Sequence, residues 1–394
     1  MKSALETSFK NKKALIRVDF NVPLNSNFEV ADNSRIKAAK PTIDHVLNDG
    51  GACILISHLG RPEGKDPSLS LKHILREAEK CLGRKIKFID DCIGQKVESA
   101  AEALLPGEVL MLENLRFYKQ EVLGDELFSQ KLSKAGDVYV NDAFGTSHRN
   151  HASTSTVTGF FNEKCAGLLL LKEVEAIDKV LKSKISPVTA IIGGAKVSSK
   201  IPIIKNLLSI ADNLVIGGGM AYTFIKSNGG EVGKSIYEPE MIPVCEDLML
   251  EAKKNDVSFF LPKDVVAANE FSNNSKTKVL GADNIDEGWM GLDIGPETEK
   301  HFASIILKSQ TVLWNGPLGV FEMNAFSNGT KAVAASVAEA TKKGCFSLVG
   351  GGDSVAALIK FNLFHRVSYV STGGGAMLES LEGNTLPGIA ALLQ

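Results

Sequence analysis

Residues 188–200 read VTAIIGGAKVSSK: five mostly apolar or β-branched residues, two glycines, then a polar stretch carrying two lysines. The apolar run is too short for a helix, so it reads as a buried strand closed by a glycine turn. The order recurs downstream in NLVIGGG (213–219), SFFLP (258–262), TVLWNG (311–316), CFSLVGGG (345–352) and VSYVSTGGG (367–375). Upstream, the runs are ALIRVDFNV (14–22), ACILISH (52–58), KIKFID (85–90), EVLMLEN (108–114) and DVYVNDAF (137–144). Amphipathic segments such as SLKHILREAEKCLG, with Ser70 as its cap, separate them. Strand then helix, repeated, predicts parallel sheets with crossover helices. Two sets of five or six strands predict an α/β chain of two doubly wound, Rossmann-like parallel-sheet domains joined by a helical hinge.

The seam falls in 165–187. Leu170, Val174, Ile177 and Leu181 recur at helical spacing and predict one apolar helix face, broken around Ser183–Ser186 and by Pro187. The domains are then 1–170 and 188–379, with 171–187 as the connecting helix or hinge. The length of 394 residues suits two or three domains.

Lys and Arg number 44 and Asp and Glu 46, a net charge of −2, which excludes polyanion binding through bulk charge. No signal-like apolar segment opens the chain and no stretch reaches the roughly 20 apolar residues of a membrane span. The six cysteines at 53, 81, 92, 165, 245 and 345 form no CxxC pair and read as reduced residues of a cytoplasmic protein. Glycine is in excess, 36 of 394, and it clusters at strand ends of the second half.

Ligands of open α/β sheets bind beyond the carboxyl ends of the strands, where exposed N–H groups and a helix N-terminus favour anions. Four glycine clusters in one domain therefore point to a phosphate-rich ligand such as a nucleotide. Lys196 and Lys200, four apart, read as one helical face beside a bound polyphosphate or as solvated surface lysines. Glu322 reads as a ribose contact or a surface acid. Asp353 reads as a Mg²⁺ ligand or a helix cap. SNGGEVGKSIY (227–237) misses P-loop spacing by one residue, and no GxGxxG fingerprint supports a dehydrogenase. The first half carries arginine and histidine at its strand ends instead: Arg35 beyond Asp19 and Asn21, His58 and Arg61 in SHLGRP, Arg116 in ENLRF, and His148, Arg149 and His151 in GTSHRNH. Guanidinium forks select carboxylate and phosphate, so these groups suit a small multiply charged acid. No nucleophile elbow and no HExxH or Cys/His metal spacing is present.

RVDFNVP, SHLGRP, ENLRF, GTSHRNHAST, GGAKVSSK, GGGMAYTF, LWNGPLGVFE, GGGDS and STGGGAMLE occur in the order of the phosphoglycerate kinases, which the chain resembles over essentially its whole length. The resemblance implies phosphoryl transfer from 1,3-bisphosphoglycerate to MgADP, giving 3-phosphoglycerate and MgATP, by a monomer acting on small molecules, with no nucleic-acid or membrane partner. It implies that Asp19, Asn21, Arg35, His58, Leu59, Gly60, Arg61, Arg116 and Arg149 hold the glycerate. Gly193, Lys200, Gly217, Gly218, Gly219, Asn315, Pro317, Glu322, Gly351, Gly352, Asp353 and Ser354 would hold the nucleotide. Arg35, Lys196 and Lys200 would serve the transferring group once the domains close, and Asp353 the Mg²⁺. A C-terminal tail from about 380 to 394 would return to the first domain. Two departures stand out: Ser199 replaces the family's Asp in KVSDK, and Ser354 a common Thr. A non-catalytic two-domain anion-binding protein is the alternative.

Overall fold

The computed structural model describes residues 1–182 and 185–394, which separate into two compact units, Met1–Glu175 with Thr385–Gln394, and Ala176–Asn384. The first unit is built on six parallel strands: β1 (Lys13–Val18), β2 (Ala52–Ile56), β3 (Ile86–Ile89), β4 (Val109–Leu112), β5 (Val138–Asp142) and β6 (Lys164–Ala166), in the order β3-β4-β2-β1-β5-β6. Strands β2, β4 and β5 are buried at every residue, as expected where helices cover both faces of a parallel sheet. Strand β6 was not among the sequence expectations, because three residues leave no pattern to read.

The second unit's main sheet holds β7 (Val188–Ile192), β8 (Asn213–Ile216), β9 (Ser258–Phe260), β10 (Thr311–Asn315), β11 (Phe346–Gly350) and β12 (Tyr369–Val370). All pair in parallel, in the order β9-β8-β7-β10-β11-β12. Strand order reverses between β7 and β10, so the loops after these two strands open a crevice there. A three-stranded antiparallel sheet, Asp264–Ala268 with Thr277–Gly281 and Met290–Ile294, is inserted between β9 and β10. Its outer strand alternates exposed and half-buried residues, and sequence reading did not anticipate it.

Two expectations need correction. The segment from Gly193 to Lys200 is bends and turns, and the helix begins at Ile201 with Lys200 as its N-terminal flanking residue, so Lys196 and Lys200 share a loop and not a helix face. The connecting helix is Leu168–Leu181, but its buried stripe is Leu170, Glu173, Ala176, Ile177 and Val180. Val174 and Leu181 are only half-buried, so the apolar face lies about a quarter-turn from the expected one. Part of the expected break, Ser183 and Lys184, lies outside the described residues. In the tail, Gly388 donates to the Ser147 carbonyl at 2.8 Å and accepts from Asn141 Nδ2 at 3.3 Å.

Candidate active site

In the first unit, the loop after β2 is pinned from three sides. The Asn21 side-chain oxygen accepts from the Gly60 N–H at 2.9 Å, Arg116 Nη1 donates to the Gly60 carbonyl at 2.6 Å, and Asn114 Nδ2 donates to the Leu59 carbonyl at 2.8 Å. This presents Arg61 beside a cavity of about 760 Å³ lined also by Arg116, Lys119, Arg149 and His151. Arg35 Nη1 donates to Asp19 Oδ2 at 2.7 Å, which aims the guanidinium from the first turn of its helix toward the end of β1. Asp19, Asn21, Arg35, His58, Leu59 and Gly60 do not line that cavity, although Arg35, Arg116 and Arg149 all act electrostatically on His58.

Beneath this face lies a buried chain that sequence reasoning missed. Arg17, fully buried in β1, donates through Nε to Ser153 Oγ at 2.9 Å and through Nη2 to His58 Nδ1 at 3.1 Å. Ser153 passes its hydroxyl proton toward Glu121 Oε1 at 2.6 Å, and its N–H donates to Glu121 Oε2 at 3.0 Å. Glu121 is also fully buried, so one hydroxyl joins a buried cation to a buried anion. A guanidinium only donates, so His58 must accept at Nδ1 and carry its proton on Nε2. Burial, then Arg17, Arg116, Arg149 and Arg35, holds the imidazole neutral well below the ordinary histidine range. Burial, then Arg116, Arg149 and Arg17, brings His151 down to about 4, and burial, then Arg149 and Arg17, brings Arg116 to about 10. The signal for Arg17 was present in ALIRVDFNV: an arginine inside an apolar strand needs a buried partner.

In the second unit, two cavities of about 480 Å³ each adjoin, sharing Gly194, Ala195 and Asp353. One is polar and glycine-rich, with Gly193, Lys196, Lys200, Asn315, Gly351, Gly352 and Ser354 on its walls. The other is faced by Gly218, Gly219, Ile236, Phe271, Pro317, Leu318 and Glu322. Lys200 Nζ donates to Asn315 Oδ1 at 2.6 Å, while Asn315 Nδ2 donates to the Gly350 carbonyl at 2.8 Å. Burial lowers the Lys200 pKa, opposed by Asp353 and Glu382. Glu238 accepts from the Ser198 N–H at 3.0 Å and from its hydroxyl at 2.5 Å, and Ser199 Oγ donates to the Lys196 carbonyl at 3.0 Å, which ties down the lysine loop. Ser354 Oγ accepts from the Gly316 N–H at 2.7 Å. Asp353 lies in the first turn of the helix Gly352–Lys360, but the flanking residue is Gly351 and no side chain caps the helix, so the capping role for Asp353 does not hold.

The glycines divide by cause. A Cβ on Gly193 would lie against the carbonyls of Pro317 and Gly316, so this glycine serves the close approach of the loops after β7 and β10. Gly351 instead takes φ +92°, a conformation that L side chains resist, while a Cβ on Gly352 would meet nothing within 4 Å. Of these three, Gly352 alone leaves room for a ligand against bare backbone, since a Cβ on Gly351 would also lie 2.6 Å from Asn315 Nδ2.

The profile of the phosphoglycerate kinase family matches residues 5–384. The chain is 48% identical to a phosphoglycerate kinase of Porphyromonas gingivalis, covering 98% of each sequence. It is 49% identical to that of Moorella thermoacetica, covering 99% of this chain and 98% of the relative. Among solved structures, phosphoglycerate kinase from Coxiella burnetii superposes with a TM-score of 0.92 at 40% identity, covering 100% of this chain and 98% of that one. The enzyme from Pyrococcus horikoshii gives 0.82 at 29% identity over the same shares.

Proposed function

The chain belongs to the phosphoglycerate kinase family, and from that premise we propose how its two strand-end sites divide the substrates. The reaction is reversible phosphoryl transfer from 1,3-bisphosphoglycerate to ADP, giving 3-phosphoglycerate and ATP in glycolysis. Nothing in these likenesses favours a non-catalytic anion-binding protein.

The acid is held in the first unit, with Arg61, Arg116 and Arg149 on its charged groups. Arg35, oriented by Asp19, and neutral His58, donating from Nε2, complete the set with Asn21 and the backbone of Leu59 and Gly60. The nucleotide lies along the two adjoining cavities of the second unit, its phosphates among Gly193, Lys200, Asn315 and Gly351–Ser354. Its base lies between Gly217–Gly219 and Pro317, and its ribose at Glu322. The bond from the acyl oxygen to phosphorus breaks as the ADP terminal phosphate oxygen bonds to phosphorus. The nucleophile is already an anion in both directions, so the protein needs no base, only in-line positioning and cations on the transferring group. Lys196, Lys200 and Arg35 supply that charge.

Asp353 fits a magnesium ion. It lines both cavities, and among the described residues no group of three acidic, histidine or cysteine side chains makes a self-sufficient metal cage. A single carboxylate sharing the ion with nucleotide phosphates is a common magnesium arrangement. When bound, the ion supplies charge neutralisation at the phosphates. We further infer a cytoplasmic monomer; six free cysteines support the compartment.

The observation that carries this reading is Lys196, Lys200, Asp353 and the open Gly352 of one helix N-terminus on a single cavity. Lys196→Ala tests it: kcat should fall about 10²–10³-fold, the typical cost of one transition-state donor. A folded variant with near-parental turnover refutes the assignment.

A further inference from the structure

We propose that Lys360, at the far end of the helix that opens on the Gly351–Gly352 cradle, is a positioning residue for the nucleotide ribose. The inference rests on reading Glu322 as the ribose contact.

Lys360 is the last residue of the helix Gly352–Lys360, whose first turn carries Asp353 and Ser354 at the phosphate cavity. A lysine at a helix end ordinarily extends into water. Here the ammonium turns onto the loop after β10, donating to the Phe321 carbonyl at 2.7 Å, the Glu322 carbonyl at 3.2 Å and Asn324 Oδ1 at 3.1 Å. All its three protons are thereby used on one short turn. That turn has its own anchors. Phe321 is buried in the core beneath it, and the Ala325 N–H donates to Asn273 Oδ1 at 3.1 Å. Asn273 belongs to the loop that presents Phe271, 61% exposed, to the apolar cavity.

One rigid rod therefore serves two parts of the ligand, the phosphates and the ribose. Its N-terminus shapes the phosphate cradle, and its C-terminus grips the backbone on which Glu322 stands. Nine residues span about 12 Å at 1.5 Å per residue, and a helix of that length does not stretch. The Glu322 backbone, from which the carboxylate reaches out, is thus set at a fixed offset from the cradle, although no bond from Lys360 reaches the carboxylate itself.

The test compares ADP with 2′,3′-dideoxy-ADP, which lacks the ribose hydroxyls, in Lys360→Met, Glu322→Gln and the double variant. Lys360→Met keeps the apolar stem and removes the three donors. Its KM for ADP should rise about tenfold, one charge-assisted hydrogen bond in scale, with kcat and the KM for the phosphoglycerate little changed. With dideoxy-ADP, Lys360→Met should match the parent, and in the Glu322→Gln background it should add nothing. Lys360→Arg should recover most of the loss. The proposal is overturned if Lys360→Met leaves the ADP KM within twofold while Glu322→Gln raises it. It is equally overturned if Lys360→Met weakens ADP and dideoxy-ADP alike, which marks general support of the turn. If Glu322→Gln itself leaves ADP unaffected, the ribose reading of Glu322 fails, and the proposal with it. Melting temperatures of all variants separate these outcomes from unfolding.

Discussion

Arg17→Met is the sharpest perturbation the first unit offers. Methionine fills most of the stem's volume but removes the donors to Ser153 Oγ, the Val18 carbonyl and His58 Nδ1. Glu121, fully buried, then loses the cation to which Ser153 joins it. Removing one partner of a buried ion pair costs about 3–5 kcal/mol, mostly because the other charge stays desolvated. Glu121 keeps two hydrogen bonds from Ser153 and still feels Arg116, which places the expected loss at about 3 kcal/mol. Removing the second charge in Arg17→Met/Glu121→Gln should recover at least half of it. Both tryptophans, Trp289 and Trp314, lie in the second unit, so fluorescence follows the wrong half of the protein. Hydrogen exchange of β1 and β5 amides in urea reports the right one. A loss under about 1 kcal/mol, or a double variant that merely sums two losses, would show that the two charges are not compensating one another. Nitrogen NMR of the same variant should show His58 losing its fixed Nε2–H form and titrating closer to the ordinary histidine range, since Arg17 is the largest charge holding it down.

Two further outcomes test the second unit. Asn315→Leu strips the acceptor from Lys200 and the donor from the Gly350 carbonyl, so the KM for ADP should rise about tenfold or more while the phosphoglycerate KM stays put, and an unchanged ADP KM refutes the anchoring role. Burial pushes Asp293 up from 3.8 to about 8, so the folded chain holds a proton that the unfolded chain releases across that window, and the group's contribution to stability is lost as pH rises through it. Asp293→Asn takes no part in that loss and should gain on the parent between pH 5 and 8 by up to about 1.4 kcal/mol per pH unit, read from urea midpoints; a flat difference rejects the buried protonated carboxyl.

Much of this was legible without coordinates. Parallel strands buried on both faces leave continuous apolar runs, and VTAII and TVLWN announce themselves in that way. The glycine clusters marked loops that line the cavities of the second unit, but for a mixed reason: Gly193 is needed by the neighbouring loop, Gly351 by its own backbone, and composition does not separate the two. Lys196 and Lys200 were grouped rightly and placed on the wrong element, because four-residue spacing is shared by helices and by compact turns. The antiparallel insertion stayed hidden since its edge strand is half in water and short. Glu121, Ser153 and Lys360 were illegible because their partners are distant in sequence, 32 residues from Glu121 to Ser153 and 39 from Phe321 to Lys360. Only the fold brings such groups within reach of one another.

The return of Thr385–Gln394 to the first unit bears on synthesis. A chain emerging from the ribosome completes residue 175 and then makes the whole of the second unit, residues 176 to 384, before Gly388 exists to bond Ser147 and Asn141. At about 5–20 residues per second, that interval lasts on the order of 10–40 s. For all of it the first half waits with the end of β5 uncovered, a nascent surface open to chaperones and to other unfinished chains. Residues 385–394 thus close the first unit late: the half of the enzyme made first is finished only after the second has been made.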